Sequence, residues 1–246
     1  MSNNDRPLSK KSTRSDIDAF VHKMASVPAQ RAGGRCGRLI FALDATASRQ
    51  LTWDQACHIQ AEMFEQTAQL GGLEIQLCYF RGFREFEVSA WTKDALALRR
   101  MMTTVDCRAG HTQIERVLKH AAREAGAKPV DALIYVGDSM EESFDTLAHE
   151  AGRLGLLKIP VFMFHEGSNA IAARVFAEIA RLSGGACCAF DAGSAEELRV
   201  LLGAVAIYAA GGRKALADYS QSNSKRNSAV QQILHQLPGP SGAGEK

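Results

Sequence analysis

Oxygen-bearing side chains mark three places where an apolar run of the chain ends. Asp44, Thr46 and Ser48 alternate in the segment DATAS after the run RLIFAL, Thr112 follows the segment AGH, and Asp138 follows the run LIYVG. Two carboxylates and three hydroxyls form an all-oxygen set, which suits a hard cation better than zinc. These five residues therefore predict a Mg²⁺ site that could also take Mn²⁺.

The charge of this set predicts how the ion would be used. Mg²⁺ requires near-octahedral coordination and gives up its waters reluctantly. With two carboxylates and neutral hydroxyls around it, the ion would keep some waters and accept one more carboxylate. A partner protein that supplies an Asp or Glu would complete the coordination, so we expect a metal-bridged protein–protein contact.

The rest of the chain predicts the elements that position these side chains. Apolar runs at 38–43, 73–79, 84–89, 132–136, 159–164 and 186–190 predict strands, and amphipathic segments at 52–70, 92–102, 112–125, 144–156, 169–182 and 194–210 predict helices. Such alternation is typical of an α/β fold whose sheet is covered on both faces. We expect a doubly wound, mostly parallel six-stranded sheet in the order 3-2-1-4-5-6, with one antiparallel edge strand and helices on both faces. The carboxyl ends of its parallel strands would gather the metal site.

At these residues the chain resembles the von Willebrand factor A (VWA) family, which has a Rossmann-like fold. Its metal-ion-dependent adhesion site (MIDAS) has the pattern D-x-S-x-S, then a Thr, then an Asp, carried here by Asp44, Thr46, Ser48, Thr112 and Asp138. The resemblance extends over residues 37–210 through the order of strands and helices. It implies that Thr46 and Ser48 bind the ion directly. It also implies that Asp44 and Asp138 act partly through water, and Thr112 directly or through water.

The chain departs from the family pattern at three points. Thr46 replaces the usual first Ser, which keeps the hydroxyl and adds a methyl group. His111 stands where Gly is common, and Glu141 and Glu142 follow Asp138 closely where Gly is also common. These residues could add a titratable ring and negative charge to the rim of the site. A loop His is more often an exposed hydrogen-bonding residue, and paired acids usually favour the N-terminus of the next helix, so we leave them outside the site.

The family resemblance also bears on partners. Cytosolic bacterial VWA proteins often work beside an AAA-type ATPase or within a stress-response complex, and the resemblance implies a partner of this kind without selecting one. The chain divides into a polar N-terminal extension at 1–36 with one short predicted helix at 16–26, a VWA-like domain at 37–212, and a polar C-terminal tail at 213–246. The tail holds a short amphipathic segment at 229–237.

Charge, hydropathy and cysteine spacing argue against several classes of function. A net charge of +2, from 29 Lys and Arg against 27 Asp and Glu, gives no support for nucleic-acid binding. The start of the chain lacks the apolar core of a secretory signal, and no run approaches the roughly 20 apolar residues that cross a bilayer. We expect a cytoplasmic protein without a nucleic-acid or membrane partner. The six cysteines include no C-x-x-C pair, which argues against a zinc knuckle.

Enzyme motifs fit the chain poorly. The segment GDSME lacks the closing glycine of a serine hydrolase elbow, and DATASRQ lacks the glycines of a phosphate-binding loop. A Mg²⁺-dependent phosphatase-like enzyme stays as an alternative, because Asp44 ends a strand beside hydroxyls and Asp138 could hold Mg²⁺ near it. A metal-free VWA scaffold is a second alternative, since Asp44, Ser48 and Thr112 could each cap a helix. We expect an interaction module rather than an enzyme.

Four aromatic residues surround the predicted hairpin of the second and third strands: Phe80, Phe83, Phe86 and Trp91. They could form an exposed binding patch. Aromatic residues near an edge strand more often pack against a neighbouring helix, so we expect them to belong to the core.

Overall fold

A six-stranded sheet forms the centre of the molecule. Its strands are β1 (Gly37–Asp44), β2 (Leu73–Arg81), β3 (Glu85–Val88), β4 (Ala132–Gly137), β5 (Val161–Glu166) and β6 (Ala186–Phe190). They lie in the order β3-β2-β1-β4-β5-β6, and every pair is parallel except β2 with β3. The structure is a computed structural model that describes residues 36–49, 73–190, 195–222 and 228–238. The predicted fold class and strand order are confirmed.

Six helices are described around this sheet. They are α1 (Ala95–Thr103), α2 (Ile114–Ala127), α3 (Phe144–Leu156), α4 (Ala170–Ser183), α5 (Ala195–Ser222) and α6 (Ser228–Gln236). Their ends follow local chemistry: Asn169 caps α4 by accepting hydrogen bonds from the backbone N–H groups of Ile171 and Ala172, and Gly184 ends it at φ 75°. The helices predicted at 16–26 and 52–70 lie outside the described residues.

The sheet separates two apolar cores, because alternate side chains of a strand point to opposite faces. Leu39, Phe41 and Leu43 of β1 face α5 and α1. Ile40 and Ala42 of the same strand face α2, α3 and α4. The central strands β1 and β4 are buried along their whole length. This burial fixes where β1 and β4 end, and therefore where the polar residues after them are placed.

The C-terminal part of the described chain packs on the sheet. Gly212, at φ 73° and ψ −171°, kinks α5, and the helix continues to Ser222 rather than ending at the predicted residue 210. Val230 and Ile233 of α6, and Leu237 directly after it, are buried in the core beside α5. The side-chain amide of Gln236 pairs with the outer edge of β6: its oxygen accepts from the N–H of Cys187 at 2.6 Å and its nitrogen donates to the carbonyl of Cys187 at 2.9 Å.

One helical segment, Val200–Tyr219 in α5, is long and apolar enough to cross a membrane by length and composition. The prediction that no run of the chain has this length and apolar character does not hold for this segment. Its mean hydropathy is 1.3, and 61% of the segment is buried within the protein. Contact with β1, β2 and β4 explains its apolar composition as that of a core helix.

Candidate metal centre

Asp44 ends β1 as a buried carboxylate. Its side chain is 0% exposed, and its Oδ1 accepts a hydrogen bond from the N–H of Thr46 at 2.8 Å. Its Oδ2 has no hydrogen-bond partner among the described residues. Burial raises the pKa of Asp44 to about 6, against the lowering effect of the Thr46 hydrogen bonds and the Arg49 charge, and the nearby Asp138 raises it further. Asp44 is thus a buried carboxylate with one oxygen that accepts no hydrogen bond from the described residues.

A short 3-10 helix, Ala47–Arg49, turns the chain directly after this residue. The turn brings the hydroxyls of Thr46 and Ser48 to 3.1 Å from each other. Thr46 is buried, whereas Ser48 is exposed. Burial therefore decreases from Asp44 and Thr46 to Ser48, so the side of the site at Ser48 is open to solvent.

Asp138 follows β4, the strand that pairs with β1. The register sets Leu43 opposite Val136, so Asp44 and Asp138 both project beyond the same end of the sheet. Oδ1 of Asp138 is buried and has no hydrogen-bond partner among the residues described. Gly137 is required before it, since a Cβ there would lie 2.7 Å from the hydroxyl of Tyr135. Close packing on Tyr135 thus fixes the loop that carries Asp138.

Thr112 lies before α2 and is tied to the loop of Asp138. Its hydroxyl accepts a hydrogen bond from the N–H of Glu141 at 3.1 Å, and its own N–H donates to Oε2 of Glu141 at 3.3 Å. The same carboxylate oxygen lies 2.8 Å from Nδ1 of His111. The loop before Thr112 also joins the first loop, because the N–H of Arg108 donates to the carbonyl of Ala45 at 3.1 Å.

Glu142 caps α2 from across the site. Its two carboxylate oxygens accept hydrogen bonds from the N–H groups of Ile114 and Glu115, both at 2.8 Å. The sequence suggested that Glu141 and Glu142 would favour the helix that follows them, α3. They instead satisfy backbone donors at and before the N-terminus of α2, which a helix cannot satisfy internally. Both acids therefore link the loops that carry Thr112 and Asp138.

A buried ion pair behind the first loop was missed by the sequence reading. The Nε of Arg49 donates to Oε2 of Glu166 at 2.8 Å, and its Nη1 donates to the carbonyl of Asp44 at 2.8 Å. The two side chains are 1% and 6% exposed. Two features of the sequence could have indicated this pair: Arg49 comes directly after the DATAS segment, and Glu166 ends an apolar strand. Their separation of 117 residues gave no reason to pair them.

Comparisons with known proteins find matches to the structure of this chain but not to its sequence. No protein-family model matches the sequence, and no curated protein matches it either. Solved structures do match the fold. The VWA domain of SpRpn10 is 13% identical with a TM-score of 0.51, over 66% of this chain and 95% of that one. The chain has the fold of a VWA domain.

Two further VWA-like structures share this architecture at low identity. An aerotolerance-related membrane protein from Bacteroides fragilis is 15% identical with a TM-score of 0.52, over 66% of this chain and 94% of that one. The vWF domain of the type V pili tip protein Mfa5 from Porphyromonas gingivalis is 10% identical with a TM-score of 0.53, over 68% and 95%. This level of similarity shows the fold alone.

The polar atoms at this end of the VWA sheet suit a bound cation. Besides Asp44 Oδ2 and Asp138 Oδ1, three more buried polar atoms there have no hydrogen-bond partner within the described segments: Tyr135 Oη, His165 Nε2 and Glu166 Oε1. Buried polar groups are normally satisfied, so orphaned ones indicate unseen water or an ion. The described residues contain no group of three His, Cys, Asp or Glu placed to hold a metal. An ion here would therefore depend on the hydroxyls of Thr46, Ser48 and Thr112.

Proposed function

We propose that this chain is a Mg²⁺-dependent protein-binding module of the VWA type. Asp44, Thr46, Ser48, Thr112 and Asp138 would hold the ion, and Mn²⁺ could replace Mg²⁺. The observation that carries the proposal is a pair of buried carboxylate oxygens, Asp44 Oδ2 and Asp138 Oδ1, left without hydrogen-bond partners among the residues described at one end of the sheet. A hard cation would satisfy both oxygens and offset the repulsion between the two acids.

The same arrangement supports a partner that contributes a carboxylate. By the VWA resemblance Asp44 and Asp138 act partly through water, and the hydroxyl ligands carry no charge, so the ion would favour one more carboxylate. Ser48 is exposed, so a ligand position on its side would face solvent. An Asp or Glu of a partner is well suited to that position, because charge-assisted contacts to a carboxylate are stronger than those to a neutral group.

Binding rather than catalysis is favoured by the surroundings of Asp44. A carboxylate that acts as a nucleophile must reach its substrate, whereas the Asp44 side chain is 0% exposed and lies below Thr46 and Ser48. A metal-free scaffold would need ordered water at each of the two orphaned oxygens, whereas one cation would satisfy both. As a further part of the proposal, a cytoplasmic AAA-type ATPase or stress-response complex would supply the partner.

Calorimetric titration of Mg²⁺ and Mn²⁺ into the chelator-treated protein tests the metal. We expect saturable binding in the wild type and none in Asp44→Ala or Asp138→Ala. Glu178→Ala, which changes a partly exposed acid on α4 paired with Arg181, is the matched control and should bind the ion normally. If the ion binds equally well to both Asp variants, the assigned site is wrong.

Capture of partners with and without chelator tests the interaction. The wild-type protein should retain a partner in Mg²⁺ and release it on addition of EDTA, and the Asp138→Ala variant should retain none. Retention that survives EDTA would favour the metal-free scaffold. Turnover of a phosphoester that Asp44→Asn abolishes would favour the phosphatase-like alternative.

A further inference from the structure

A groove of about 630 Å³ opens beside Thr112, next to the candidate metal centre. One wall is the turn between β2 and β3, with Phe83 and Arg84, and the other is the start of α2, with Arg116. The volume lies in the range of pockets that bind ligands. Thr112 belongs to both the groove and the metal centre, so a segment bound at the metal could continue into the groove.

The groove contains two arginines that have no ionic partner among the described residues. No hydrogen bond or ion pair is made by the Arg84 guanidinium within those residues. Arg116 donates to two uncharged acceptors, the carbonyl of Arg84 at 2.9 Å and the side-chain amide of Gln113 at 2.5 Å. It also lies 4.9 Å from the ring centre of Phe86. Two positive charges thus line the groove, Arg84 on the wall formed by the β2–β3 turn and Arg116 on the wall formed by α2.

The acids of the groove are already engaged. Both oxygens of Glu142 accept backbone hydrogen bonds at the start of α2. Glu115 forms an ion pair with Lys119 one turn later in the helix. The arginines are therefore available to a negatively charged ligand. Charge complementarity between the arginines and such a ligand would contribute more to specificity than to affinity.

Phe83 supplies an apolar contact on the rim. It is 81% exposed, and its ring meets the edge of His111 at a centroid distance of 6.2 Å. Phe80 is fully buried, while Phe86 and Trp91 are partly buried against the core, so of the four hairpin aromatics it is Phe83 that stays outside. The next residue, Arg84, has φ 70°, in the left-handed region that disfavours an arginine. Backbone strain of this kind is found at binding sites, where function maintains it.

We infer that the groove binds an acidic, extended segment of the partner protein, with one carboxylate at the metal, a large apolar side chain against Phe83, and a second carboxylate paired with Arg84 and Arg116. This inference rests on the proposed function, because it takes the metal as one end of the binding surface. It adds the chemistry of the partner: two acids separated by a short spacer that includes an apolar residue. A segment with a single acid would lack the arginine contact.

A peptide array tests the inference without a known partner. Each heptapeptide carries one central Asp, a Glu at one other position or none, and Leu or Ser between them. The full-length protein is labelled and applied in Mg²⁺ or in EDTA. We expect two-acid peptides with Leu to be retained in Mg²⁺ about five- to tenfold more strongly than one-acid peptides, because partly shielded arginine–carboxylate contacts exceed the strength of exposed ones.

Three variants assign the preference to residues. Arg84→Asn removes the charge with a residue that tolerates the left-handed backbone, and it should abolish the preference for the second acid while one-acid peptides still bind. Phe83→Ser should abolish the preference for Leu. Lys158→Asn is the matched control, because Lys158 is also an exposed basic residue at positive φ (59°), placed between α3 and β5 at the other end of the sheet. It should change neither preference.

The outcomes separate this inference from the proposed function. Metal-dependent retention with no preference for a second acid, or a preference that Arg84→Asn leaves unchanged, would overturn the groove assignment alone. If no peptide shows metal-dependent retention, the groove assignment is overturned, and the calorimetric titration of Mg²⁺ decides separately whether the proposed metal site is also wrong.

Discussion

Asp44 is suited to binding a cation, but its buried carboxylate lowers the stability of the fold. A buried carboxylate with one unsatisfied oxygen and a second acid nearby destabilises the folded chain in the absence of a cation. A residue selected for stability alone would not be an acid at this position. The free energy of unfolding should therefore report on the site as directly as binding does.

The first prediction concerns Asp44→Asn in metal-free buffer at neutral pH. Asn keeps an oxygen to accept the hydrogen bond from the N–H of Thr46, and it removes the buried charge. We expect the free energy of unfolding to rise by about 1–3 kcal/mol, the range typical for an uncompensated buried polar group. Urea denaturation in EDTA measures it. Mg²⁺ should stabilise the wild type and leave the variant unchanged.

Asp131→Asn is the matched control for this change. Asp131 is also a buried carboxylate, but its Oδ2 accepts a hydrogen bond from the N–H of Arg38 at 2.8 Å, far along the sheet from the metal centre. Asn can accept the same hydrogen bond but without the carboxylate charge that strengthens it, so this change should lower stability or leave it unchanged. A gain in stability in Asp131→Asn equal to that in Asp44→Asn would contradict a special role for Asp44.

The sequence predicted which side chains could bind an ion, but not the buried ion pair that supports their loop. Asp44, Thr46 and Ser48 were recognisable because their oxygens alternate in a few consecutive residues after a strand. The ion pair of Arg49 with Glu166 joins positions 117 residues apart, and a single sequence contains no information on such a pairing. The exposure of Phe83 was likewise missed, since composition does not show which aromatic residue of a hairpin faces solvent.

At the scale of elements, the turn between β2 and β3 packs directly on the loop that carries Thr112. A Cβ at Gly110 would lie 1.9 Å from the carbonyl oxygen of Gly82, which is a backbone atom that cannot move independently. The turn and the loop therefore share one fixed position, which sets both the candidate metal centre and the adjacent groove.

The second prediction concerns Gly110→Ala. The added methyl group should force the two segments apart, lower stability by about 1–3 kcal/mol, and weaken Mg²⁺ binding because Thr112 is displaced. Urea denaturation and calorimetry measure the two effects. Gly126→Ala is the control: no atom lies within 4 Å of a Cβ there, and in α2 the change should be neutral or stabilising. Normal Mg²⁺ affinity in Gly110→Ala would show that Thr112 does not depend on this contact.

The third prediction concerns the ion pair that ties the 3-10 turn to β5. Glu166→Gln leaves the buried Arg49 without a carboxylate, and we expect a loss of about 3 kcal/mol, as for other buried pairs that lose one member. Thermal or chemical denaturation measures it. Glu178→Gln, in an exposed pair with Arg181, should have little effect. A small loss in Glu166→Gln would mean that the pair does not hold the turn.

Element boundaries show where sequence patterns were sufficient. The strand at 186–190 and the helix at 144–156 match β6 and α3, because turn residues and a polar face mark their ends. β5 begins at Val161 rather than 159, since Pro160 has no N–H to donate to the sheet, and it continues through the polar His165 and Glu166, which contacts in the fold keep buried. α5 passes a Gly-Gly pair that usually ends a helix, because α6 and the sheet bury the segment beyond the kink.

At the scale of the whole molecule, α6 belongs to the folded body of the protein. Val230, Ile233 and Leu237 are buried at 0%, 0% and 4% exposure, and Arg213 of α5 donates to the carbonyls of Leu237 and Pro238. The folding unit therefore includes residues that the composition of 213–246 marks as polar.

The fourth prediction concerns truncation after Ser222. Loss of three buried apolar side chains should lower the free energy of unfolding by about 4–8 kcal/mol, a large share of the stability of a typical domain. Truncation after Pro238 retains all three, and should unfold like the full chain. Chemical denaturation of the two truncated proteins gives the comparison. Equal stability of both would exclude a structural role for α6.

The amide of Gln236 on the outer edge of β6 also bears on aggregation. An open edge strand is a template on which other chains can add, and natural proteins protect such edges. At the other end of the sheet β3 is only four residues long and contains Glu85 and Glu87, which discourages addition there. On the β6 side, the edge protection seen among the described residues comes from α6, so brief detachment of α6 would expose the edge while the rest of the sheet stays folded. The rate of aggregation on storage should then follow the opening of this one helix rather than global unfolding.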